Sequence, residues 1–260
     1  MARPLHRRSV SAPALPTRDS GQSSSSAERL RPAVPRQRLR RAGARTPDPA
    51  VVPARPLLRG WLHAAFVPAV VLSAALLLPR TGTAAQAWAV AVFLVLSAAL
   101  FTTSAAYHLL RWSPAALLRM KRLDHGNIPL AVAAGATPLL VLGVPGPDGA
   151  LLLAVVWVAA GLVAASRWLW PGCPRALHTA GTAALGWAVL PALPAVAAHG
   201  QLAAAALVVV SGLLLTAGGA VYAARWPEPS PRWFGHHEVF HALTVVAWPV
   251  HAGAVWLLCA

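Results

Sequence analysis

Ala85-Gln-Ala-Trp-Ala-Val-Ala-Val-Phe-Leu-Val-Leu-Ser-Ala-Ala-Leu-Phe-Thr-Thr-Ser-Ala-Ala-Tyr-His-Leu-Leu110 contains no Asp, Glu, Lys or Arg. Coiled as an α-helix at 1.5 Å per residue it would be about 39 Å long, whereas a bilayer core about 30 Å thick needs roughly 20 apolar residues. The stretch therefore reads as a membrane span. Six others of similar character lie at Trp61 to Leu78, His125 to Val144, Gly149 to Ala165, Ala176 to Ala198, Leu202 to Ala224 and His237 to Leu258. Of the 260 residues, 57% are hydrophobic and only 11% charged, which is too apolar for an ordinary water-soluble domain. The expected fold is an all-α membrane protein, a seven-transmembrane helix bundle over residues 57–260.

Charge gives the expected orientation. The 22 Lys and Arg against 7 Asp and Glu would suggest nucleic acid in a soluble protein, but their placement points elsewhere. Thirteen basic residues, Arg3 to Arg59, precede the first span, and the remainder occupy short connections. Assigned to alternate sides across seven crossings, 21 fall on one side and Arg80 alone on the other. Cytoplasmic loops are enriched in Lys and Arg, so the N-terminus is expected in the cytoplasm and the C-terminus outside, in a multi-pass protein of the cell membrane. No nucleic-acid partner is expected; the partners are membrane lipids. Residues 1–56, rich in Arg, Ser and Pro and without an apolar h-region, read as a disordered basic arm able to touch anionic headgroups, rather than as a secretory signal. Cys173 and Cys259 should lie on opposite sides, which excludes both a disulfide framework and a CxxC metal site.

An ionisable group within a span costs about 2.5 to 3.5 kcal/mol on insertion scales and so invites a functional reading. The second span ends with Ser104, Tyr107 and His108, the third begins with Asp124 and His125, and the seventh begins with His236, His237, Glu238 and His241. All three groups belong to the cytoplasmic ends of their helices. His237 and His241, four residues apart, share a helical face and are separated by about 6 Å along the axis. Three imidazoles, His108, His237 and His241, with the Asp124 carboxylate nearby, suit a Zn2+ ion that keeps one position open for water. His63 and His178 are expected to face headgroups, with a donor role beside the metal ligands as the alternative, His125 and His236 to cap or solvate helix starts, and Glu238 to favour the helix dipole. His251, about 15 Å beyond His241, is too far to share the site.

Four motifs in order, Ser104-Ala-Ala-Tyr-His108, Arg122-Leu-Asp-His125, Ala134-Gly-Ala-Thr-Pro138 and Phe234-Gly-His-His-Glu-Val-Phe-His241, resemble the hemolysin III family. That family belongs with the progestin and adipoQ receptors and, more distantly, the alkaline ceramidases. The resemblance extends from about Arg59 to the C-terminus. It implies seven helices with the N-terminus inside, zinc held by His108, His237 and His241, and Asp124 close to the metal's water. Ala136 and Gly126 depart from the family's pattern at positions bearing on substrate contact rather than on the metal.

The expected activity is zinc-dependent hydrolysis of a lipid amide or ester, with Asp124 and Ser104 as catalytic residues. Asp124 would orient or deprotonate water, and Ser104 would bond to Asp124, the water or a developing oxyanion. The alternatives are a non-catalytic receptor or regulator of membrane state with structural zinc, a cytolytic protein, and an intramembrane metalloprotease. The last rests on His237-Glu238-Val-Phe-His241, which also satisfies H-E-x-x-H with Glu238 as general base. The expected order of ligands in such proteases, with the motif ahead of an aspartate, is reversed here. No span carries the repeated polar stripe that would line a pore.

Overall fold

The computed structural model describes residues 56–259. The arm expected over residues 1–56 falls, apart from Pro56, outside the described residues. Eight α-helices follow: α1 (Trp61–Leu77), α2 (Ala84–Leu109), α3 (Pro114–Gly143), α4 (Pro147–Leu169), α5 (Arg175–Trp187), α6 (Leu193–Ala198), α7 (Leu202–Ala224) and α8 (His236–Leu258). The described residues contain no β-strand, and seven helical stretches are long and apolar enough to cross a membrane. The fifth of these combines α5, a 3₁₀ turn at Leu190–Ala192 and α6. It was expected to be one continuous helix. Pro191 and Pro194 lack the N–H that an unbroken helix would use, so the span is built in pieces.

The third span differs more. Its helix starts at Pro114, well before the expected His125, because Ser113 supplies an N-cap whose hydroxyl accepts from the Ala116 N–H at 3.4 Å and proline suits the first turn. Arg119, Lys121 and Arg122 therefore lie on the helix rather than in a loop. Asp124 is not at a helix start but about 15 Å along α3. Thr83 caps α2 similarly, accepting from the Gln86 N–H at 3.2 Å. At the other end of the chain, α7 stops at Arg225, which takes a left-handed φ of 57° just before Trp226 and Pro227.

α3 is the most enclosed span, packed between α2, α4, α5 and α8, while α7 pairs with α8 and α1 with α2. Leu139, Leu140, Val156, Leu185, Val196 and Ala254 form the main apolar cluster, and Leu77, Val90, Phe93, Leu94 and Val255 a smaller one. Leu72, Leu76, Val95, Leu151, Val158 and Leu162 are exposed, as side chains solvated by lipid should be. In hydrocarbon a polar side chain must find its partner inside the protein. Trp157 accordingly donates to Thr137 at 3.2 Å, Trp187 to Thr216 at 3.0 Å, and Asn127 to Thr103 at 3.1 Å.

His251 makes a further polar link. Its Nε2 lies 3.0 Å from the Gly135 carbonyl, which can only accept, so Nε2 carries the proton; Nδ1 faces the Ser211 hydroxyl at 3.1 Å. α3, α7 and α8 are thus tied through one imidazole. Gly135 makes the approach feasible, since a Cβ there would stand 3.1 Å from His251 Nε2.

Candidate metal centre

Two helix ends meet where the sequence placed them. The end of α2 carries His108, the first turns of α8 carry His237 and His241, and one ligand atom from each lies within 4.8 Å of the others. His108 Nε2 and His237 Nε2 are 3.2 Å apart. Two nitrogens bound to one zinc at about 2.0 to 2.1 Å in tetrahedral geometry stand about 3.3 Å from each other. The His108–His237 pair has about that spacing, and all three ligand atoms lie within 4.8 Å of one another. Two imidazole nitrogens facing each other inside an apolar bundle also share a natural partner in a cation. The donor set therefore fits a borderline metal such as zinc.

Asp124 stands outside this group of three ligands but borders the same space. It is 7% exposed, and Ser104, itself buried, faces the same space. Ser104, Asp124, His237 and His241 all line one cavity of about 450 Å³. The cavity continues along α3 from Asp124 to Leu139 and along α8 from His237 to His251, a length of about 20 Å in each case. Most of its wall is apolar, with Ala136 among the residues facing it.

The neighbouring residues correct several expectations. His125 does not solvate a helix start: its Nδ1 lies 2.6 Å from the Lys121 carbonyl and its Nε2 3.1 Å from the Tyr222 hydroxyl. His63 and His178, expected at headgroups, are 3% and 4% exposed. His178 lies 3.2 Å from the Ser166 hydroxyl, and His63 stacks on His241. His236 pairs with Glu228. Tyr222 and Arg175 were not anticipated at all. The Arg175 guanidinium lies 4.2 Å over the Tyr222 ring and donates to the Tyr222 carbonyl at 3.1 Å, and that ring sits 5.6 Å from His237. Neither has a spacing motif, because each reaches the site across helices distant in sequence.

Glu238 settles the reading of H-E-x-x-H. It is 1% exposed, and one carboxylate oxygen is engaged by Arg59 while the other accepts the Gly235 N–H at 2.9 Å. The cavity wall does not include it. A general base must reach the reacting water. Glu238 instead closes the first turn of α8 and anchors it to the residues before α1, as a first-turn acid does at a helix N-terminus.

The haemolysin-III related family matches residues 52–252. The chain belongs to this family. The seven apolar helices agree with a multi-pass membrane protein, and the family's match covers six spans in full, the seventh as far as residue 252, and all three histidines of the cluster.

Proposed function

We propose that this haemolysin-III family protein is a zinc-dependent hydrolase of lipid amides or esters. The observation carrying the reading is that His237 and His241, which form a three-imidazole cluster with His108, share one elongated apolar cavity with Ser104 and Asp124. His108, His237 and His241 would hold the ion, which when bound supplies Lewis acidity and lowers the pKa of water towards about 7. Asp124 accepts a proton as water attacks the acyl carbon. It returns that proton to the departing nitrogen or oxygen as the old bond to carbon breaks. Ser104, which lines the cavity with Asp124, would donate to the carboxylate and hold it in one orientation. The walls between α3, α5, α7 and α8 accommodate an extended hydrocarbon chain and keep bulk water from the reacting bond.

Orientation follows from charge. Among the described residues the metal end of the bundle carries nine of the ten basic residues, Arg80 alone lying at the other end, and by the positive-inside rule this end would face the cytoplasm, with the N-terminus inside, the C-terminus outside and the protein in the cell membrane. The twelve basic residues from Arg3 to Arg55, ahead of the Arg59 that pairs with Glu238, would then meet anionic headgroups of the inner leaflet, at about 1 kcal/mol for each residue near the surface.

Elemental analysis of purified protein tests the metal. Wild type is expected to carry one equivalent of zinc, and His237→Ala to lose it. Incubation with mixed lipid amides and esters then tests turnover, with Asp124→Asn as the control that keeps the metal but stops hydrolysis. Full zinc occupancy without release of any fatty acid would remove the hydrolase and leave the metal as a structural element of a receptor or regulator.

A further inference from the structure

The first helix supplies no ligand, yet its entry touches the neighbourhood of all three. Gly60, at the start of α1, has a φ of 85°, and a Cβ added there would come within 2.7 Å of the His108 Cβ. Only glycine takes that conformation without strain and lets the chain pass so close. Arg59, one residue earlier, engages Glu238, the sequence neighbour of His237. His63, one turn further on, lies flat against His241 with ring centroids 3.9 Å apart and planes within 3°. The Leu57 and Leu58 N–H groups donate to the carbonyls of Arg232 and Trp233 at 2.9 and 3.3 Å, fastening the same segment to the connection that leads into α8.

His63 is the informative member. Its two ring nitrogens are buried and make no hydrogen bond among the described residues, so what it offers His241 is a ring face. Phe101 meets it edge-on at 4.9 Å and holds it in place. An imidazole ligand must aim one nitrogen at the ion, and rotation about its Cβ–Cγ bond swings that nitrogen away. A flat ring packed at 3.9 Å blocks this rotation.

We infer that the entry turn of α1 is a positioning brace for the metal ligands, in which the His63 ring fixes the plane of His241 by stacking. The inference rests on the reading of His108, His237 and His241 as a metal site and adds a dependence on residues that never touch the metal. Partners of metal-bound histidines typically alter affinity by about 10- to 100-fold when removed.

The test is a cobalt(II) titration of detergent-purified, metal-stripped full-length protein, followed by the visible ligand-field bands, for wild type, His63→Phe, His63→Asn and His63→Ala. His63→Phe keeps a ring in the slot and is expected to bind within about threefold of wild type with the same bands. His63→Asn and His63→Ala lose the face and are expected to weaken binding by about 10- to 100-fold with altered bands. If His63→Ala fails to fold, the phenylalanine and asparagine variants decide the matter. Wild-type affinity in His63→Ala overturns the brace, as does tight binding in His63→Asn with weak binding in His63→Phe, which would assign the role to a nitrogen. Wild-type protein that takes up no cobalt refutes the metal reading itself, and the brace falls with it.

Discussion

Replacing Arg59 with methionine should be among the most damaging single changes at the metal end of the bundle, and the cost can be worked from the burial of its partner. Glu238 is 1% exposed and would keep only the Gly235 N–H at 2.9 Å, leaving its other oxygen without a cation. Removing one partner of a fully buried pair costs about 3 to 5 kcal/mol. The Arg59 side chain is 19% exposed, so water already screens part of the attraction, and about 2 to 3 kcal/mol is expected. Glu238→Gln should cost less, about 1 to 2 kcal/mol, because Arg59 can turn its guanidinium to water and the amide oxygen can still accept from Gly235. The double variant should be less destabilised than the sum by about 1 to 2 kcal/mol, since the second change removes the charge that the first one stranded. Reversible unfolding in mixed dodecylmaltoside and SDS, followed by fluorescence of the eleven tryptophans, reads these differences. Strictly additive effects, or an Arg59→Met variant within about 0.5 kcal/mol of wild type, would refute the anchor and reopen Glu238 as a catalytic candidate.

Gly135→Ala puts a Cβ 3.1 Å from His251 Nε2 and should lengthen the bond to the Gly135 carbonyl, at a cost of about 1 kcal/mol in the same unfolding assay. His125→Phe should leave zinc stoichiometry unchanged in elemental analysis, because both of its nitrogens are committed to Lys121 and Tyr222; loss of metal would make it a fourth ligand. Orientation can be read with a membrane-impermeant maleimide on intact cells. Cys259 should react and Cys173 only after lysis, while burial pushes the Cys259 thiol above its usual range and slows its labelling at neutral pH. Labelling of Cys173 in intact cells would invert the topology.

Much of this protein could be read along the chain. The length of each apolar run against the thickness of a bilayer determined seven crossings, because lipid imposes one requirement on every span, regardless of its neighbours. Alternation of the runs also determined that His108, Asp124 and His237 belong to one end of the bundle. The four-residue spacing of His237 and His241 put them on a common face. These inferences concern a single helix at a time, or the order of helices, and such regularities survive in a linear string.

Tertiary structure decided the remainder. The H-E-x-x-H string is compatible with a catalytic glutamate until Arg59, 179 residues away, is seen to hold Glu238 away from the cavity. His63 reads as one more histidine near a membrane surface, and only packing lays it on His241. Asp124 seemed to begin a helix because the basic residues before it resemble a loop; the Ser113 cap starts α3 earlier and carries the carboxylate into the protein. Each of these depends on which side chains meet across helices remote in sequence. That pairing is set by the packing of whole faces against one another, and no local spacing records it.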